Sequence, residues 1–173
     1  MSKGILVAGI GNIFQSDDGF GSEVARRLLA GPALPPGVTV VDYGIRGVHL
    51  AYDLLDGPDA VILVDATHQG DEPGTLYVIE PDIEGIETEN GLAEAGIVDA
   101  HGMDPAAVLA LLRSIGGGVD RLLVVGCEPA EVEEGMGLSD AVAGAVDEAC
   151  RIVRDLVDRQ LSDLPLQRKE THA

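Results

Sequence analysis

Aromatic residues are nearly absent: two Phe, three Tyr and no Trp make up 3% of the chain. A core with so few rings must come from Val, Leu, Ile and Ala, and with 46% hydrophobic residues that suits parallel strands covered on both faces by helices. Cysteine is as scarce. Cys127 and Cys150 form neither a C-x-x-C pair nor a framework, which excludes a disulfide-stapled fold and points to a reducing compartment. Basic residues are few, with 11 Lys and Arg against 30 Asp and Glu. The formal charge of −19 argues against nucleic acid or an anionic membrane surface as the main partner. No apolar run approaches the ~18 residues of a membrane span, and the short run near the N-terminus lacks a signal-cleavage pattern. A cytoplasmic protein with no membrane partner is expected.

The length of 173 residues suits one domain, which we place over residues 1–161, followed by a polar, disordered tail over 162–173. The apolar runs 5–8, 38–42, 60–65, 75–80 and 121–126 predict five strands. Helices are predicted over 23–30, 49–55, 104–112 and from a Ser139 cap to about Leu161. The order β-α-β-α-β implies right-handed parallel crossovers, with ligands gathering at the C-terminal strand ends. The link from Asp65 to Thr75 is too short for a crossover helix, so the fourth strand should run antiparallel. Residues 81–102 show little periodicity, and a stretch of that length inside a compact domain points to function.

The chain is organised around Gly9-Ile-Gly-Asn-Ile-Phe-Gln-Ser-Asp-Asp-Gly-Phe-Gly21. Strand, glycine turn and helix resemble a nucleotide site, but the chemistry does not fit one. Phe14 stands where the dinucleotide fingerprint needs a small residue, and the segment has no Lys. Asp17 and Asp18 would repel a phosphate at the helix N-terminus. The loop instead delivers acids to the end of a central strand. Capping of the following helix is the plain structural role for Asp17, with Asp18 in the first turn.

Of the four His, His172 lies in the tail, His49 opens a helix and His68 sits in a turn near Asp65. His101 ends the long acidic loop just before a helix. Asp17 or Asp18, Asp65 and His101 thus come from three loops that an α/β topology can bring to one sheet edge. Two carboxylates and an imidazole suit a borderline divalent ion such as nickel, zinc or manganese. The same set can supply a general base and its orienting acid. Neither an H-E-x-x-H nor a G-x-S-x-G motif is present, and Cys127 reads as a buried small hydrophobe.

The opening motif, with Asp42-Tyr-Gly44, Val61-Ile-Leu-Val-Asp-Ala66, Pro73-Gly-Thr-Leu76, Ala100-His-Gly102, Val125-Gly-Cys-Glu-Pro129 and Gly135-Met-Gly-Leu-Ser139, resembles the hydrogenase maturation proteases. The resemblance runs in order over roughly residues 4–160. It implies a three-layer α/β/α fold with a mixed, mostly parallel five-stranded sheet and one antiparallel strand. It also implies an endopeptidase that removes the C-terminal peptide of a nickel-iron hydrogenase large-subunit precursor after nickel insertion. Carried over by position, Asp18, Asp65 and His101 would contact nickel held chiefly by the substrate, and would serve catalysis, with Asp18 or Asp65 orienting or deprotonating a water. A monomer is expected. The rival from another class is a nickel-sensing or chaperone-like binding protein of this fold that does not cleave.

Overall fold

The computed structural model describes residues 4–80, Leu112 and 115–171. Five short apolar segments hydrogen-bond into one sheet: β1 (Ile5–Ile10), β2 (Val38–Gly44), β3 (Ala60–Ala66), β4 (Leu76–Ile79) and β5 (Leu122–Cys127). Their spatial order is β2-β1-β3-β5-β4. β1 runs parallel to both β2 and β3, and β3 runs parallel to β5. β4 lies antiparallel to β5, Leu76 opposite Cys127 and Ile79 opposite Val124. The short β3–β4 link forces that reversal, as its length predicts.

The alternation of side chains along each strand builds two cores. One face presents Ile5 and Val7 of β1, Ile62 and Val64 of β3, and Leu123 and Val125 of β5. Phe20, Val24 and Leu28 of α1 (Phe20–Ala30) cover it. Val142 of α3 (Asp140–Ala143) joins them, with Val146, Val153 and Val157 of α4 (Val146–Thr171). The opposite face presents Leu6, Ala8, Val61, Leu63 and Val124, and Leu50, Ala51 and Leu54 of α2 (Gly47–Leu54) pack against it. Each full burial of such a side chain contributes about 1.5–3 kcal/mol, so both faces of the sheet hold the three layers together. The expected α/β/α arrangement with a mixed sheet is the one observed.

Two features of the C-terminal third depart from the sequence reading. The helix expected to run unbroken from Ser139 is two helices, parted at Gly144 and Ala145. Gly144 disfavours helix, and there the Ala145 N–H bonds to the Val142 carbonyl three residues back, the tight spacing of a helix end. The tail expected to begin at Ser162 is instead helical to Thr171, a backbone course that Gln167, Arg168, Lys169 and Glu170 favour as good helix formers. The long acidic stretch after β4, His101 and the helix expected from Asp104 lie outside the described residues. Of that helix only Leu112 is described, helical and buried in the second core. Among the described residues no helix is long and apolar enough to cross a membrane.

Candidate active site

The C-terminal ends of β1, β2 and β3 meet at Gly11. Its φ of +135° is open to glycine and strained for any side chain. A Cβ built there would stand 1.9 Å from the Asp18 carbonyl oxygen and 3.5 Å from Asp65 Oδ1. Gly11 therefore lets the backbone of the first loop lie directly against both acids. Its N–H bonds to the Gly44 carbonyl at 2.9 Å, fixing the loop to the end of β2. Gly9 and Gly21 serve packing rather than a phosphate: a Cβ on Gly9 would meet the Gly21 carbonyl, and one on Gly21 the Val64 and Ile10 carbonyls. Helix α1 crosses the sheet at backbone contact because of them.

Beyond Gly11 the chain folds on itself. The Asn12 side-chain carbonyl accepts the Phe14 N–H at 2.9 Å, an Asx turn of the kind expected of that residue. Residues Ser16–Gly19 form a 3-10 turn that presents Asp17 and Asp18. Ser16 has a φ of +53°, a left-handed conformation that costs a non-glycine residue about 1–3 kcal/mol. Its N–H bonds to the Gly135 carbonyl and its hydroxyl to the Glu133 carbonyl, each at 2.8 Å, and these offset the strain.

The two neighbouring acids have different tasks. Asp17 is fully buried, and its carboxylate accepts four hydrogen bonds: from the N–H groups of Ala130, Glu131 and Ser139 and from the Ser139 hydroxyl. It is no N-cap. The cap position of α1 falls on Gly19, with no side-chain bond, and Ser139 makes none at α3 because its hydroxyl serves Asp17. Asp18 is buried too, but its Oδ2 accepts the Asn12 N–H at 2.9 Å, inside the loop that packs on Asp65. Asp65 ends β3 with 1% exposure, and its Oδ1 accepts the Ala66 N–H at 2.8 Å. Of the expected site residues, Asp18 and Asp65 both lie against the Gly11–Asn12 backbone, whereas His101 lies outside the described residues.

Other side chains complete the setting. Asp42, at the end of β2, accepts the Ser22 hydroxyl at 2.7 Å and the Gly44 N–H at 3.1 Å through Oδ1. Its place at a strand end was legible in the sequence; its partner Ser22, buried on α1, was not. Glu128 after β5 is also buried and accepts the N–H groups of Gln69 and Asp71 and the Tyr77 hydroxyl, tying down the link after β3. Burial alone would raise its carboxyl pKa. The Asp71 and Gln69 donors, the Tyr77 hydroxyl and nearby His68 outweigh that and hold it below the ordinary value. His68 stands 4.0 Å from Glu128 with its side chain 59% exposed, and His49 faces solvent. Burial, with the Asp17 and Glu128 charges added, pushes the Cys127 thiol up to about 12, so it is a core residue and a poor nucleophile.

Chemically, the described site offers two buried carboxylates, Asp18 in the turn after β1 and Asp65 at the end of β3, beside a backbone with no side chain in the way. Ionised, they accept a proton from water or bind a cation. No cluster of three or more His, Cys, Asp or Glu able to hold a metal by itself occurs among the described residues. Two carboxylates fit an ion whose remaining ligands come from elsewhere.

The sequence profile of the hydrogenase maturation protease family matches residues 22–156. The hydrogenase expression/formation protein HupD of Rhodobacter capsulatus is 34% identical over 88% of this chain and 70% of its own length. Among solved structures, the hydrogenase maturating endopeptidase HybD from Escherichia coli aligns at a TM-score of 0.68 with 28% identity, covering 87% of this chain and 89% of its own. A [NiFe] hydrogenase maturation protease, HycI from Thermococcus kodakarensis, aligns at 0.65 with 26% identity, covering 90% and 93%.

Proposed function

The chain belongs to the hydrogenase maturation protease family and is a peptidase, and from that premise we propose that it removes the C-terminal peptide of a nickel-iron hydrogenase large-subunit precursor once nickel is in place. The observation that carries the reading is the meeting of Asp18 and Asp65 across Gly11, at the sheet edge where α/β folds bind ligands. Nickel is here part of the substrate. Asp18 and Asp65 would complete the coordination of an ion the precursor already holds, with His101 as the third protein ligand by its position in the motif series. A site built from two carboxylates binds a free ion weakly, which suits recognition of a loaded precursor.

In the cut itself, one of the two carboxylates would orient a water and take its proton as the water oxygen adds to the scissile carbonyl, then return that proton to the departing amine as the C–N bond breaks, while the other carboxylate helps hold the ion and with it the peptide. Glu128, bonded to the link after β3, and Asp17, bonded across to residues 130–139, hold the loops that carry these acids. The experiment is processing of the precursor by Asp18→Asn and His101→Ala proteins. Both should fold as the parent does and leave the precursor uncut. Normal trimming by either would remove that residue from the site.

A further inference from the structure

Beside the acids lies a cleft of about 240 Å³, walled by residues 12–14 after β1 and 43–46 at the end of β2, with Gly11 and Asp42 in its lining. Ile13, Phe14 and Ile45 on these walls are 43%, 58% and 62% exposed. Large apolar side chains held open to water around one depression gain little from folding, and such patches mark sites of contact with a partner. The Gly11–Gly44 hydrogen bond fastens the two walls together, so the cleft stands preformed. Its volume is below the ~300–1,000 Å³ of pockets that enclose small molecules, and is suited to one large side chain rather than a cofactor.

Arg46 stands on the same wall. Its Nε donates to the Tyr43 carbonyl at 3.1 Å and its Nη2 to the Asp42 carbonyl. Both acceptors are neutral, so among the described residues no carboxylate pairs with this guanidinium, in a chain that carries −19. A cation with no carboxylate partner among the described residues, at the mouth of an apolar cleft, is placed to pair with a carboxylate that arrives from outside.

We infer that this cleft is the specificity subsite for the polypeptide substrate: it seats one large apolar side chain next to the scissile bond, and Arg46 pairs with an acidic side chain beside it. The inference rests on the peptidase reading above and adds to it the chemistry of the flanking residues. Continuity supports it, because Gly11 lines the cleft and also lies against the Asp18 backbone carbonyl and the Asp65 carboxylate.

The test uses a large-subunit precursor that the unsubstituted protein cuts. With p-benzoylphenylalanine in place of Ile45, light should join the protein to the precursor within roughly three residues of the cleavage point, the reach of an extended segment from the cleft. Arg46→Glu should lower kcat/KM by about tenfold or more through KM, with kcat little changed. A precursor whose acidic residue near the cut is replaced by Lys should restore cleavage by Arg46→Glu. A crosslink elsewhere on the precursor, or an unchanged KM for Arg46→Glu, overturns the subsite and leaves the peptidase reading standing. Failure of the unsubstituted protein to cut is a failure of that reading and takes the subsite with it.

Discussion

Asp17 and Ser139, 122 residues apart, are joined by two hydrogen bonds: the Ser139 N–H donates to Oδ1 at 2.7 Å and the Ser139 hydroxyl to Oδ2 at 2.9 Å. With the Ala130 and Glu131 N–H groups also on Oδ2, one carboxylate closes the loop after β5 onto the loop after β1. The adjacent acid, Asp18, turns instead to the Asn12 N–H, next to the Gly11 backbone that Asp65 approaches.

Asp17→Ala should therefore behave as a folding variant. It removes the buried acceptor of three N–H groups and a hydroxyl, and the loss should be about 3 kcal/mol. Urea denaturation reads it directly. The contrast is with Asp18→Asn, which keeps an acceptor for the Asn12 N–H and should lose processing with a stability close to that of the parent. Equal stability of Asp17→Ala and the parent would contradict the division of labour between the two acids.

Gly11→Ala tests the junction itself. The added methyl meets the Asp18 carbonyl oxygen at 1.9 Å and requires a φ of +135° from an L residue. The loop must move away from Asp18 and Asp65, with a stability loss of about 1–3 kcal/mol from backbone strain. Processing should fall further than that loss alone explains, because the geometry between the acids changes. Denaturation midpoint and cleavage rate, measured on the same preparation, separate the two effects.

Acid sensitivity should trace in part to Glu128. Its folded pKa lies below the ordinary 4.5, since the Asp71, Gln69 and Tyr77 donors and His68 outweigh burial. A depressed carboxylate stabilises the fold fully above its unfolded value, and the contribution is lost as pH falls through the folded value. Stability curves of the parent and Glu128→Gln should stand apart at neutral pH and draw together as the pH falls below the ordinary carboxylate range. Parallel curves would mean that Glu128 titrates alike in both states.

Much of the fold was legible because its signals are local. The apolar runs of β1, β3 and β5 are short and flanked by glycine or acids, and the brief link before β4 fixes that strand's direction without reference to the rest of the chain. The candidate site was proposed from residues that follow strand ends, with Asp18 and Asp65 taken from the motif order, and the structure places both against Gly11 and Asn12. What escaped depends on contacts distant in sequence. Asp17 and Asp18 look alike as neighbours before a helix, and only the Ala130–Ser139 segment tells them apart. Ser139 has the residue type and position of an N-cap, yet its hydroxyl is drawn to Asp17. Gly9 and Gly21 look like turn residues, and their role is the close crossing of α1 over β1 and β3, which no spacing reveals.

The most direct measurement is the mass of a nickel-iron hydrogenase large-subunit precursor after incubation with this protein, with nickel-loaded and apo precursor side by side. The account predicts loss of a C-terminal peptide from the loaded form alone. Equal cleavage of both forms would contradict the role given to nickel, and binding without any loss of mass would contradict the cut itself.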